Sequence, residues 1–180
     1  MLIAVIYAVE IMESISALYA SRSRKPLMTH QDEDYMRLAL REAETAFSED
    51  EVPVGAVLII NNRVIASAYN RKESKNDPTD HAEMIVIREA AADINNWRLS
   101  DSTIYVTKEP CVMCAGAMVN ARIGRLVYGC RDEKYGAVSS QYQVGSDRKL
   151  NHNMEVLNGI LEDECSDILK RFFAGLRKQS

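Results

Sequence analysis

The 180-residue sequence has no uninterrupted apolar run of the ~20 residues that a membrane span needs. Met1 to Val9 are uncharged and mostly apolar, but Glu10 and Glu13 break the run. Arg22, Arg24 and Lys25 follow this stretch instead of preceding it, the reverse of a secretory signal peptide. No membrane association is expected. Surplus positive charge is also missing: 22 Lys and Arg stand against 26 Asp and Glu, a net charge of −4. A protein that coats nucleic acid through bulk charge does not fit that balance, whereas a local basic patch at one nucleic-acid site does. Cysteine is scarce, with four residues at positions 111, 114, 130 and 165. A domain this long needs no disulfide staple. Two of its cysteines lie three apart, so metal binding or free thiols in a reducing, cytoplasmic compartment are expected.

A content of 47% hydrophobic and 27% charged residues marks a globular chain, not a disordered or fibrous one. The length suits one ordinary domain, or one domain with an appendage. Residues 1–27 read as an N-terminal extension. It is either a short extra helix or, the preferred reading, a segment translated ahead of a second start at Met28. A periodic pattern begins just after that methionine. Residues 28–180 show no internal repeat, low-complexity tract or linker and read as one domain.

Asp32 is the expected N-cap of an amphipathic helix over 34–47, with Met36, Ala39, Leu40, Ala43 and Phe47 at helical spacing. Residues 55–60 and 64–68 form a β-hairpin about Asn61-Asn62-Arg63. A polar stretch over 70–80 leads to a helix over 81–92 and a strand over 102–106. Pro110 suits the start of a helix over 111–121, followed by a strand over 125–128. Residues 131–150 resist assignment. A fifth strand over 154–157 and a final helix over 160–176 complete the pattern. Strands alternating with helices predict an α/β fold, with a mixed central sheet of about five strands flanked by helices.

Two segments carry candidate chemistry: His81-Ala82-Glu83 and Pro110-Cys111-Val112-Met113-Cys114. Each opens an expected helix. Cys111 and Cys114 share a helical face, in a first turn whose free N–H groups and dipole favour thiolate. His81 supplies a third donor. Three nitrogen and sulfur donors describe a catalytic zinc site with a fourth position left for water. Glu83 then suits a proton shuttle rather than a ligand. Taken singly, His-x-Glu carries little information, and Cys-x-x-Cys equally fits a redox pair or half of a structural zinc site. Together they match the signature of zinc nucleobase deaminases.

With Val52-Pro53-Val54-Gly55-Ala56-Val57, Ala115-Gly116-Ala117-Met118 and Arg122-Ile123-Gly124-Arg125, the chain over roughly residues 34–176 resembles the bacterial tRNA-specific adenosine deaminases of the cytidine deaminase superfamily. The resemblance implies a three-layer cytidine-deaminase-like fold and hydrolysis of adenosine to inosine at the wobble position of a tRNA anticodon, typically of tRNA-Arg. It implies one zinc ion per subunit on His81, Cys111 and Cys114, with Glu83 as the catalytic proton carrier. Asn70 and Ala82 would bind the substrate base. The partners implied are a tRNA anticodon stem-loop and a second copy in a homodimer. Lys108 stands where Leu is expected at the pocket rim, and Tyr135-Gly136 where Thr-Gly is common. Candidate RNA contacts are Arg71, Lys72, Lys75, Lys108, Lys170 and Arg171. Phe172-Phe173 suits core packing or base stacking. Two alternatives stay open. One is a deaminase of free cytidine, cytosine or guanine. The other is a non-catalytic, zinc-stabilised RNA-binding subunit.

Overall fold

The computed structural model describes residues 29–179. The expectation for residues 1–27 lies outside the described residues. The elements run α1 (His30–Ser48), β1 (Gly55–Ile60), β2 (Arg63–Tyr69), α2 (Lys72–Lys75), α3 (Ala82–Asp93), β3 (Ser102–Lys108), α4 (Val112–Ala121), β4 (Arg125–Cys130), β5 (Glu155–Asn158) and α5 (Glu162–Gln179). The five strands form one sheet in the order β2-β1-β3-β4-β5. β1 is antiparallel to β2 and β3, while β3, β4 and β5 run parallel, so the sheet is mixed as expected.

The hairpin turns on Asn61 and Asn62, both at positive φ (50° and 60°). Two consecutive left-handed residues suit the twist of the flanking strands, and asparagine tolerates that backbone well. A bulge between Leu58 and Ile59 shifts the β1–β2 register by one residue. α1 and α5 cover one face of the sheet, and α3 with α4 beside it cover the other. Both faces are therefore buried, so Gly55 to Ile59 form a continuous buried run without polar alternation. α1 sits closely on β1: a Cβ added at Gly55 would lie 2.1 Å from the Ala39 carbonyl oxygen. Ala39 and Ala43, both fully buried, keep the facing helix surface small.

One sequence expectation needs correction at the start of α1. Thr29, not Asp32, is the N-cap: its Oγ1 accepts the Asp32 N–H, and the Asp32 carboxylate accepts the Thr29 N–H at 2.9 Å. This reciprocal pair is a capping box, which starts the helix a turn earlier than its apolar periodicity suggests. Asp32 is then 1% exposed. Its carboxylate also accepts the Tyr105 hydroxyl at 2.8 Å and the Arg125 guanidinium at 2.7 Å. α1 is thereby tied to β3 and β4.

Candidate metal centre and active site

The central strands place two helix N-termini side by side. His81 is the N-cap of α3 and Cys111 the N-cap of α4, both with extended backbone. Neither side chain caps its own helix, so both are free to point outward from the helix end. Cys114 lies one turn into α4 and is fully buried. Cys111 Sγ is 3.8 Å from His81 Nδ1 and 3.7 Å from Cys114 Sγ, and Cys114 Sγ is 3.5 Å from His81 Nδ1. A tetrahedral zinc ion with Zn–S near 2.3 Å and Zn–N near 2.05 Å has S–S edges of about 3.8 Å and S–N edges of about 3.6 Å. The three observed edges fit that figure. His81, Cys111 and Cys114 are thus positioned to hold a metal ion.

The protonation of the trio follows from its crowding. The Cys114 thiol hydrogen bond chiefly, helped by His81, pulls Cys111 down to about 4 against the effect of burial. Cys114 is pushed far up by the same bond and by burial, because a second thiolate beside the first is costly. Donating its ring N–H to Cys111 raises His81, with burial opposing. Two sulfurs that share one proton gain a ready means of losing it when a dication sits between them.

Glu83, in the first turn of α3, is 4% exposed. Burial pushes its carboxyl above the ordinary range, while its own backbone N–H and His81 oppose the shift. A carboxyl that is buried, unpaired by a guanidinium or ammonium, and next to a metal-ligand set is suited to carrying protons.

A cleft of about 410 Å³ opens over this cluster, bordered by Asn70, His81, Glu83, Lys108, Cys111 and Asp132. Asn70 is buried, and its Oδ1 accepts the Ala82 N–H at 2.9 Å. Asn70 therefore supplies the N-terminal turn of α3 with the acceptor that His81 does not. The same bond ties the backbone of the fully buried Ala82 to Asn70, which borders the cleft.

The expected RNA contacts separate. Lys72 and Lys108 border the cleft. Arg71 does not: its guanidinium lies 3.8 Å from Asp80 and 3.9 Å from Glu89 and over the Tyr69 ring. It braces the segment before α3 and is not among the residues that border the cleft. Lys75 is exposed on α2, and Lys170 is exposed on α5 beside Asp167. Arg171 packs over the Phe47 ring and borders a groove between α1 and α5, away from the cleft. Phe172 is buried in edge contact with Phe47, whereas Phe173 is exposed and borders the cleft.

Two buried carboxylates that the sequence reading did not single out shape the mouth. Glu51 accepts the N–H groups of Glu73 and Ser74, fixing α2. Glu109 accepts the N–H groups of Asp132, Val138, Ser139 and Ser140 and the Ser140 hydroxyl, fixing the segment after β4. Gly136 makes that fit possible, since a Cβ there would lie 2.4 Å from the Glu109 carboxyl. The position of Glu109 directly before Pro110-Cys111 was the available signal; Glu51 offered none beyond preceding Val52-Pro53.

The profile of the MafB19-like deaminase family matches residues 30–177. A tRNA-specific adenosine deaminase of Bacillus subtilis (strain 168) is 46% identical over 149 residues, covering 83% of this chain and 92% of that protein. One from Haemophilus influenzae is 47% identical over 149 residues, covering 82% and 86%. A solved structure from biochemical and structural studies of A-to-I editing by tRNA:A34 deaminases is 47% identical, with a TM-score of 0.73, over 76% of this chain and 99% of that one. With its fold, its ligand trio and a match across nearly every described residue, the chain belongs to the MafB19-like deaminase family.

Proposed function

We propose that this protein hydrolyses adenosine to inosine at the wobble position of a tRNA anticodon, with zinc held by His81, Cys111 and Cys114. The observation that carries this reading is the tetrahedral spacing of the two sulfurs and one ring nitrogen beside the buried carboxyl of Glu83. The relatives that are 46–47% identical to it over 149 residues are tRNA-specific adenosine deaminases, which favours an adenosine in RNA over a free base. When bound, zinc supplies Lewis-acid activation of the attacking water.

The remaining chemistry falls to the protein. Glu83 takes a proton as water adds to C6 of the purine and returns it toward the departing ammonia. Burial raises its affinity for a proton, so that it can hold the one it takes until ammonia departs. Asn70, held by the Ala82 N–H through Oδ1, keeps its amide N–H₂ for the purine. Phe173 and Tyr135, exposed at the mouth, offer ring faces to bases flanking the extruded adenosine. The proposal includes a homodimer, which sedimentation analysis checks directly. Among the described residues no helix is long and apolar enough to cross a membrane.

The test is to incubate the zinc-loaded protein with an anticodon stem-loop carrying adenosine at the wobble position and, separately, with free adenosine, cytidine, cytosine and guanine. Inosine in the stem-loop is expected. Ammonia from the monomers alone would replace this reading with that of a free-base deaminase. Glu83→Gln is expected to retain zinc and fold while turnover falls by about 10²–10⁴-fold. Undiminished turnover in that variant would remove Glu83 from the proton path, and so would a loss of activity explained wholly by lost zinc.

A further inference from the structure

His81 turns Nδ1 toward the two sulfurs, and its Nε2 has no hydrogen-bond partner among the described residues. A metal-bound imidazole is usually steered by a carboxylate or carbonyl on its second nitrogen. The direction of this ring therefore falls to the backbone on either side of it. That backbone is tied at two points. The Arg71 N–H donates to the Asp80 carbonyl oxygen at 3.0 Å, and the Ala82 N–H donates to Asn70 Oδ1 at 2.9 Å. His81 lies between these two bonds.

Asp80, 7% exposed, closes the same frame with its side chain. Its Oδ1 accepts the Arg88 guanidinium, and its Oδ2 lies 3.8 Å from that of Arg71, which reaches on to Glu89 at 3.9 Å. A long side chain on a helix points back toward the helix N-terminus, which is how Arg88, nearly two turns into α3, meets a residue ahead of it. The bridge thus anchors the residue before His81 to the body of the helix that His81 opens. The turn over 77–80 is closed without it: Asp77 Oδ1 accepts the Thr79 N–H and hydroxyl, and the Asp77 carbonyl accepts the Asp80 N–H. Neither Asp80 nor Arg88 borders the cleft.

We propose that Asp80 is a positioning residue for the metal ligand: bridged to Arg88, it holds the His81 backbone so that Nδ1 stays in register with Cys111 and Cys114. This rests on the metal reading above. Misplacing a functional group by about an ångström from a remote position is enough to weaken a site of this kind. The bridge acts through His81 and touches neither the metal nor the RNA.

The experiment uses the full chain as wild type, Arg88→Met, Asp80→Ala and the double variant. Zinc release to excess chromogenic chelator and the visible spectrum of the cobalt-substituted protein are measured, with stem-loop binding and inosine formation alongside. Arg88 is half exposed, so Arg88→Met remains informative should Asp80→Ala fail to fold. Each single variant is expected to release zinc about tenfold faster than the wild type and to shift the cobalt d–d bands. The double variant is expected to match the singles instead of reaching about a hundredfold, because the same bridge is lost in all three. Turnover is expected to fall about tenfold, with stem-loop Kd within about threefold of the wild type.

Unchanged zinc release and cobalt spectra in the folded variants would overturn the proposal, even beside a lowered melting temperature, since the bridge would then serve stability alone. Effects that multiply in the double variant would overturn it too. So would a weakened stem-loop Kd with a reduced salt slope, which would make Arg88 a phosphate contact. A wild type that takes up no zinc would sink the metal reading and this proposal together. Zinc uptake without inosine formation would sink the proposed activity alone and leave the bridge to be judged by release and spectrum.

Discussion

Asp32 accepts hydrogen bonds from Thr29, Tyr105 and Arg125, so one carboxylate joins the start of α1 to two strands of the sheet. Burial alone would raise its pKa; the bonds from Arg125, Tyr105 and Thr29 outweigh burial and hold it down to about 2, from an ordinary 3.8. A depressed carboxyl contributes stability that is complete above its unfolded value and is lost as pH falls through the folded one. The contribution is about 2 kcal/mol at neutral pH, present above pH 4 and fading toward pH 2. Urea midpoints of the wild type and Asp32→Asn are therefore expected to converge as pH is lowered across that window. A constant gap between them would show that the charge of Asp32 is not what stabilises the junction. Sequence alone identified Asp32 as relevant to the helix start, but in the wrong role. The capping box depends on Thr29, and the further bonds come from residues 73 and 93 positions away, which no local pattern encodes.

At the scale of elements, the strands and long helices were legible because their apolar spacing is strong: β1 lies at Gly55–Ile60 as expected, and β3 begins at Ser102 as expected. The short α2 and the segment 131–150 were not. α2 has no buried residue of its own and is held through Glu51, more than 20 positions earlier. The segment after β4 contains no regular element before β5 and is ordered around Glu109. Such segments draw their conformation from a distant carboxylate and so lack periodicity. Glu109→Ala is expected to leave at least four buried or half-buried N–H groups without that acceptor. Their loss should destabilise the protein by about 1–3 kcal/mol and accelerate amide exchange chiefly over 132–140. Exchange that quickens evenly across the sheet would instead make Glu109 a determinant of global stability alone.

Across the whole molecule, the ligand trio joins α3 to α4 on one side of the sheet, so a cation held there would tie together the starts of two helices that also pack side by side. The donor identities were readable from two short motifs, since adjacent helix N-termini are a recurrent consequence of this alternating strand–helix order. Their separation was not, because it depends on the pairing of β1 with β3 and of β3 with β4. Binding free energy at such a site adds to folding stability. Chelator-stripped protein is expected to melt roughly 10 °C below the zinc-loaded form, taking ligand-linked stabilisation of about 4 kcal/mol in a chain of this length. Equal melting temperatures would show that the trio is pre-formed by packing and takes no part in stability.

Glu51 and Glu109 each secure one bank of the cleft through main-chain amides, independently of the metal-holding trio. Apart from Gly136, which Glu109 needs bare, and the Ser140 hydroxyl, this main-chain bonding does not depend on which side chains those banks display. Residues such as Lys72 and Tyr135 can consequently drift over generations, and with them the choice of nucleic-acid target, while the reacting centre inherits an undisturbed frame. In this architecture, diversification of what is recognised is uncoupled from preservation of what is done to it.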